Sequence, residues 1–385
     1  MTSIANTNGL VHFITGATSL LGSEYLFNVL ASDDDTRCSV LIHAKGQRSA
    51  EKRLTALLDY LYGRGDMHLH MRQRIDVYGG DIRKKDFGLS QEQLKVLESS
   101  VNYIFHAASN SNLTDSKSSL NQSNITGTVS VINFAKNCQN LMRLMHVSSA
   151  YVSGSKTGKL TPDTLDMDEP TCDHFQLTKR VSEKFVREQY SKLPIVIIRP
   201  STIVGHSVNG RANSFRAFYY PTRQALLGRR VFFPASDDGR AEAVPSDWAA
   251  DMALKLMLKK GINGRCFHIT VGERAYTMEQ IKRIIEKNLN QQGVQYRKAK
   301  LVSEPAFKYL IGPTLSLFHK HGRKMNRDFV MLSRYSCINR IFDNSDTFKT
   351  LGEDRHTLPD LDGYYKNIIR YAIEHDWRDQ KEFRR

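Results

Sequence analysis

Gly16, Ser19 and Gly22 follow one another at a spacing of three inside VHFITGATSLLGSEYLFNVL, Val11 to Leu30. Val11 to Thr15 is an apolar run of strand length, and Glu24 to Leu30 carries helical spacing. A strand turning tightly into a helix leaves unpaired N–H groups at the helix start, and these, with the helix dipole, suit a pyrophosphate. Gly16 permits the turn, and Gly22 lets helix and strand approach closely. Ser19 stands where a third glycine would complete the spacing; its side chain is small, but its Cβ restricts the approach of backbone to phosphate. The chemistry expected here is dinucleotide binding, with Thr18, Leu20 and Leu21 completing the turn around the phosphates.

The flanking elements extend that reading. Ser39 to His43 is a second buried strand, ending in His43-Ala44-Lys45 before a helix that carries Lys52 and Arg53. A site for NAD usually has an acid at this strand end to hold the ribose hydroxyls. Here His43 replaces the acid, and Lys45, Arg48 and Arg53 offer cations to a 2′-phosphate, so NADP(H) is the expected cofactor. A third strand, Arg74 to Tyr78, runs into Gly79-Gly80-Asp81-Ile82, where Asp81 could bond an adenine and Ile82 could pack on it. Val101 to Phe105 is a fourth, ending in His106-Ala107-Ala108-Ser109, small residues that let the middle of a cofactor lie against the sheet. Leu120 to Asn137 is helical. Fifth and sixth strands, Leu141 to Val147 and Leu193 to Ile198, end at Ser148-Ser149 and Arg199-Pro200, with Ile203 just beyond.

Strand and helix patterns that alternate this often imply an α/β fold, a doubly wound parallel Rossmann sheet. Its functional groups should gather at the carboxyl ends of the strands, where Gly16, Asp81, Ala107, Ser149 and Pro200 fall. Past Pro200 the alternation fades into helices over Asp247 to Lys259 and Thr277 to Leu289, with a strand at Arg265 to Ile269 between them. The expected division is an NADP-binding Rossmann domain over 1–205 and a smaller C-terminal α+β substrate lobe over 206–385. Segments near 240–270 are expected to interleave with the Rossmann sheet. Pro305 to Lys320 holds FKYLIGPTLSLFHK, an apolar stretch broken by Gly312-Pro313, which reads as core packing, a lid, a substrate wall or a peripheral membrane contact.

Bulk properties narrow the classes. The chain has 385 residues, a 40% hydrophobic share and ten prolines, which suits a folded globule with a large core. It contains no apolar run of about 18 residues, the length needed to span a bilayer. MTSIANTNGL has neither the basic nor the apolar region of a secretory signal. Five scattered cysteines without C-x-x-C spacing argue against structural disulfides and against a metal site, and fit a reducing cytoplasm. The formal charge of +15 is spread over Lys45–Arg53, Arg83–Lys85, Arg229–Arg230, Lys320–Arg327 and Arg378–Arg385. No helix shows the basic, aromatic-interleaved stripe of a nucleic-acid reader. Phosphate-rich cofactors, coenzyme A, an acidic carrier protein and anionic lipid are all compatible partners.

Together these landmarks resemble the extended short-chain dehydrogenase/reductase superfamily, and within it the thioester-reductase and fatty-acyl-CoA-reductase, or male sterility, branch. The matching pieces are TGATSLLG (Thr15–Gly22), GGDI (Gly79–Ile82), IFHAAS (Ile104–Ser109), NITGT (Asn124–Thr128), HVSSAYVSG (His146–Gly154), TKRVSE (Thr178–Glu183), IIRPSTIVGHSVNG (Ile197–Gly210) and VPSDWA (Val244–Ala249). The resemblance implies a Ser or Thr that bonds the substrate oxygen, a Tyr that exchanges its proton, and a Lys four residues after the Tyr that lowers its pKa and holds the nicotinamide ribose. Ser149 and Lys179 match the first and last. The tyrosine position is Phe175, and a phenyl ring has no proton to give.

Several readings of Phe175 stay open: a deliberate substitution that traps a complex, a natural residue with another donor (His174, Tyr151 or a water held by Ser149), a protein that binds NADP without turnover, or a different register of the motif. The resemblance makes the favoured expectation an NADPH-dependent reduction of an acyl thioester, on coenzyme A or an acyl-carrier protein, to an aldehyde or alcohol. A catalytically silent NADP-binding regulatory or assembly protein is the alternative, followed by a related ketone or β-hydroxy reductase or an epimerase. Oligomeric state, chain length and carrier are not legible.

Overall fold

The computed structural model describes residues 9–215, 218–226, 232–314, 335, 337–353 and 357–377. Seven strands form one wholly parallel sheet: β1 (Val11–Thr15), β2 (Arg37–His43), β3 (Ile75–Gly80), β4 (Tyr103–His106), β5 (Arg143–Val147), β6 (Ile195–Pro200) and β7 (Arg265–Ile269). In space they run β7-β6-β5-β4-β1-β2-β3, so the winding reverses between β1 and β4 and opens a crevice there.

Alternation along each strand explains the two layers of helices. Ile14, Val40, Phe105, Met145, Ile198 and Phe267 point to one face, where they bury the apolar stripes of α1 (Leu20–Ser32), α2 (Gln47–Tyr62) and α6 (Ser246–Leu258). Phe13, Leu41, Ile104, Leu144, Ile197 and Cys266 point to the other, against α3 (Gln91–Ser100), α4 (Gly127–Asn137) and α5 (His174–Arg187). A separate apolar cluster joins Val204, Phe215, Tyr219 and Phe233 to the helices Met278–Gln291 and Leu361–Glu374. Three short strand pairs cross this half of the chain: Thr202–Val204 with Ala243–Pro245, Phe232–Pro234 with Lys300–Val302, and Arg240–Ala241 with Tyr276–Thr277. A fourth, Gly158–Leu160 with Arg340–Phe342, ties the segment after β5 to the C-terminal half.

The β1–α1 turn shows why glycine is needed twice. Gly16 has φ of 78°, and a Cβ there would lie 2.5 Å from Ala108 N at the end of β4. A Cβ on Gly22 would lie 2.1 Å from Gly16 O. Ser19 has a role of its own: its Oγ accepts from Gly22 N at 3.1 Å and donates to Gly16 O at 2.8 Å. That cap starts α1 at Leu20, four residues before the helical spacing becomes visible in the sequence.

Of the apolar stretch from Pro305, the described part buries Phe307 and exposes Tyr309 and Leu310. Its remainder, Leu315 to Lys320, lies outside the described residues, as do Arg229–Arg230, the rest of Lys320–Arg327 and Arg378–Arg385. No helix among the described residues is long and apolar enough to cross a membrane.

Gly22→Ala should destabilise the fold by about 1–3 kcal/mol, because a methyl group must displace backbone rather than a flexible side chain. Chemical denaturation checks this, and an unchanged midpoint would refute the close approach.

Candidate active site

At the head of α1, Leu20 and Leu21 present N–H groups that have no intrahelical acceptor. Thr18 O accepts from Asn213 Nδ2 at 3.0 Å, and Leu20 packs on the C-terminal apolar cluster while Leu21 is buried in the Rossmann core. Arg211 reinforces this link: it donates to both oxygens of Glu24 at 2.9 and 3.0 Å and lies 5.0 Å over the Tyr60 ring. The β1–α1 turn and the helix that follows it are thus strapped from outside by Arg211 and Asn213.

At the ends of β2 and β3 the charges are organised around Asp81. Arg83 grips its carboxylate with Nε at 2.9 and 3.0 Å and an amino group at 2.7 Å, and the same amino group lies 3.1 Å from His43 Nε2. Burial alone would raise the Asp81 pKa, but the Arg83 bonds outweigh it and hold the acid ionised. Arg53 donates to His43 O. Lys45 and Arg48 are exposed on the same rim. Ile82 rests on α4: a Cβ on Gly127 would meet Ile82 Cδ1 at 2.5 Å. In the sequence Arg83 belongs only to the basic cluster Arg83–Lys85, and its position two residues after Asp81 is the local signal of this pairing.

Beneath the crevice a chain of hydroxyls and imidazole locks β1, β4 and α4 together. Thr128 Oγ1 donates to Asn124 O at 2.7 Å, so it accepts from His106 Nε2 at 3.1 Å. That assigns the ring proton to Nε2 and leaves Nδ1 to accept from Thr15 Oγ1 at 2.8 Å. Burial, then the Lys179 charge, push the His106 pKa down to about 3, so the ring stays neutral. Ala107, Ala108 and Ser109 continue from this ring along the edge of the crevice, half-buried.

The remaining groups meet at the ends of β5 and β6. Ser149 accepts Tyr151 N at 3.2 Å, which leaves its own O–H to donate. Lys179, buried in the second turn of α5, donates from Nζ to Val147 O at 2.6 Å, two residues before Ser149. Burial lowers its pKa to about 8, with Glu183 opposing. Glu183 is itself clamped by Arg199 at 2.7 and 3.0 Å and by Ser148 Oγ, which fixes α5 to the strand ends. Phe175 lies half-buried one turn earlier, its main-chain O accepting from Thr178 Oγ1 at 2.9 Å. Thr178 Oγ1 also accepts from Asn124, which sits in a single π turn, Gln122–Thr126, and bonds both main-chain groups of Asn110. Such turns often mark functional positions. Pro200 is buried at the end of β6 and Ile203 half-buried in the strand after it.

The two alternative donors from the sequence are engaged. His174 Nε2 donates to Asn121 Oδ1 at 2.9 Å, and the Tyr151 hydroxyl lies 3.1 Å from Thr202 Oγ1.

A parallel sheet in this order, with a glycine-lined turn at its switch point and a buried lysine beside the β5 end, defines an extended short-chain dehydrogenase/reductase fold. The chain belongs to the family described as male sterility protein, which matches residues 14–253. It is 27% identical over 271 residues to the nonribosomal peptide synthetase asaC of Aspergillus flavus, covering 67% of this chain and 26% of the synthetase. It is 26% identical over 292 residues to fatty acyl-CoA reductase 1 of Homo sapiens, covering 65% of this chain and 55% of that protein. Among solved structures, the terminal R domain of the myxalamid PKS-NRPS pathway aligns with a TM-score of 0.80 at 20% identity, over 98% of this chain and 93% of that one. The reductase domain of a nonribosomal peptide synthetase from Mycobacterium tuberculosis aligns with a TM-score of 0.72 at 18% identity, over 97% and 92%. The chain therefore spans about a quarter of the synthetase and about half of the acyl-CoA reductase.

Burial of Lys179 has a measurable consequence. Its pKa is about 8 folded against 10.5 for the free side chain, so between these values the unfolded chain binds a proton that the folded chain does not. Stability from this group therefore rises with pH across that window, by up to about 1.4 kcal/mol per pH unit. Compared with Lys179→Met, the wild type should gain about 2 kcal/mol in relative stability from pH 7 to pH 10. A gap that stays flat with pH would contradict the burial.

Proposed function

We propose that this chain reduces an acyl thioester, on coenzyme A or a carrier protein, with NADPH as the reductant. The carrying observation is Lys179 held at the end of β5 two residues before Ser149, on the same strand-end rim as a turn shaped by Gly16 and Gly22 for a pyrophosphate. The cofactor suits that turn, since a side chain on either glycine would collide with backbone and push the N–H groups at the head of α1 away from a bound phosphate. Residues 1–205 would hold the nucleotide, with the strand near 265 completing their sheet, and residues 206–385 would form the substrate lobe.

When bound, NADPH supplies a hydride. Gly16, Thr18, Ser19, Leu20, Leu21 and Gly22 would hold its pyrophosphate, His43, Lys45, Arg53 and Arg83 its 2′-phosphate, and Asp81 and Ile82 its adenine side. Ala107, Ala108, Ser109, Pro200 and Ile203 would line its course toward the β5 end. Two N–H donors of Lys179 Nζ remain for the ribose. The Ser149 O–H would donate to the oxyanion that forms when the acyl carbon is reduced; the carbon–sulfur bond then breaks and the thiolate leaves an aldehyde. This step stabilises charge and asks for no proton at the oxygen, so Phe175 is compatible with it.

The kinds of relatives support a thioester substrate: a nonribosomal peptide synthetase, a fatty acyl-CoA reductase and a thiolation-reductase di-domain whose fold it shares. The same composition supports a reducing, cytoplasmic setting, with all five cysteines outside disulfides among the described residues. A silent NADP-binding protein is the second reading, favoured by the missing hydroxyl at Phe175.

NADPH oxidation with a panel of acyl-CoAs and acyl-carrier proteins tests the proposal. NADPH should bind more tightly than NADH, and Lys45→Ala with Arg53→Ala should weaken NADPH selectively by about 1–3 kcal/mol. Equal affinities for the two nucleotides would remove the 2′-phosphate site. Nucleotide binding without oxidation by any thioester would favour the silent protein.

A further inference from the structure

We propose that the cavity at the carboxyl ends of β6 and β7, on the face of the sheet that carries α5, binds hydrogen phosphate or the terminal group of a phosphomonoester. The inference stands apart from the reductase reading, because none of the residues assigned above to nucleotide or thioester lines this cavity.

The cavity measures about 120 Å³, and its inner end is made of buried polar groups. Arg199 and His268 are direct neighbours in the parallel register of β6 and β7, and they are only 2% and 1% exposed. Arg199 spends Nε and Nη2 on the Glu183 carboxylate and on Thr164 O, while Nη1 has no acceptor among the described residues. His268 Nδ1 lies 3.0 Å from Asp343 O, a carbonyl that can only accept, so the ring proton is on Nδ1 and Nε2 carries a lone pair. Burial, then the Arg199 charge, push the His268 pKa down to about 3, which keeps that lone pair available at neutral pH. Nε2 is buried without a partner among the described residues, and so is Oγ of Ser153, which lines the same cavity. Buried groups of this kind call for a partner from outside the chain.

Charge and proton count narrow the ligand. At the mouth Lys156 pairs with Asp166 at 2.8 Å, and Lys159 lies between Glu273 at 2.9 Å and Asp343 at 3.6 Å, so both lysines are matched there. At the inner end Arg187 and Arg199 share the single carboxylate of Glu183, which leaves one positive charge over. A monoanion complements that surplus. It must also bring a proton of its own, because Nε2 of His268 accepts and does not donate. Phosphate and its monoesters meet both conditions: in the singly charged form their oxygens accept from Arg199 Nη1 and Ser153 Oγ while their O–H donates to His268 Nε2. Sulfate has the same shape and, at neutral pH, no proton. Arg199 belongs both to this cavity and to the clamp on α5, so an occupant stands one guanidinium away from the helix that carries Lys179.

Calorimetric titration of the full chain with inorganic phosphate, methyl phosphate and sulfate tests this. Phosphate should bind saturably, and sulfate about tenfold more weakly or worse, the loss expected for one hydrogen bond involving a charged group. Methyl phosphate binding like phosphate would identify an ester as the kind of occupant, and phosphate binding alone would identify the free ion; both support the site. His268→Asn, whose amide can still donate to Asp343 O, removes the acceptor and should weaken phosphate about tenfold. Ser153→Ala, at a less enclosed position, should weaken it in the same direction. Lys45→Ala with Arg53→Ala should leave phosphate affinity unchanged, which separates this cavity from the rim proposed for the 2′-phosphate. Absence of saturable phosphate binding, sulfate bound as tightly as phosphate, an affinity unaltered by His268→Asn or by Ser153→Ala, or one lost with the Lys45 and Arg53 changes would each overturn the proposal.

Discussion

Backbone lying directly on backbone at the β1–α1 turn is the constraint from which the rest of the site follows. Gly22 sits against Gly16 O, and Gly16 against the main chain of Ala107 and Ala108, at separations no Cβ can share. These contacts bring the head of α1 to the crevice where the sheet reverses its winding, and they fix the distance from the turn to the end of β4. Ser19 shows how the chain uses a non-glycine within this space: a hydroxyl that bonds both Gly16 O and Gly22 N fits where a larger side chain would not.

A second layer of order is polar and buried. Thr15, His106, Thr128 and Asn124 form one directed chain of hydrogen bonds, and Asn124 passes it on to Asn110 and Thr178. Each group in it is satisfied by another, so loss of one partner would strand the next in a low-dielectric interior. His146 departs from this pattern. Its ring is buried 5.4 Å from that of His106, and neither of its nitrogens has a hydrogen-bond partner among the described residues. The Glu183–Arg199 pair gives α5 the same kind of anchorage at the β5 and β6 ends, and so sets where Lys179 stands.

Most of the sheet was legible because its strands are short apolar runs ending in recognisable small residues, a signal that depends only on neighbours in sequence. The turn glycines were legible for the same reason, and the family resemblance rested on such local spacings. What was not legible depends on distant or conformational partners. Arg83 closing on Asp81 requires a turn geometry that charge alone does not show. Helix α1 starts at Leu20 because a serine caps it, not because its apolar period begins there. Tyr335 reaches Asp173 across 162 positions of chain, and no spacing rule connects them. Asn124 is legible as part of a motif, but the π turn that aims its amide at Asn110 and Thr178 leaves no mark in local spacing.

The central claim is that Ser149 and Lys179 frame a site where a hydride passes from nucleotide to acyl carbon. It is tested most directly by incubating the chain with an acyl-CoA and NADPH carrying deuterium at C4 of the nicotinamide, then analysing the product by mass spectrometry. The account predicts one deuterium on the carbon that was the thioester carbonyl, and its loss in Ser149→Ala. Recovery of intact thioester beside tightly bound, still-deuterated NADPH would contradict it.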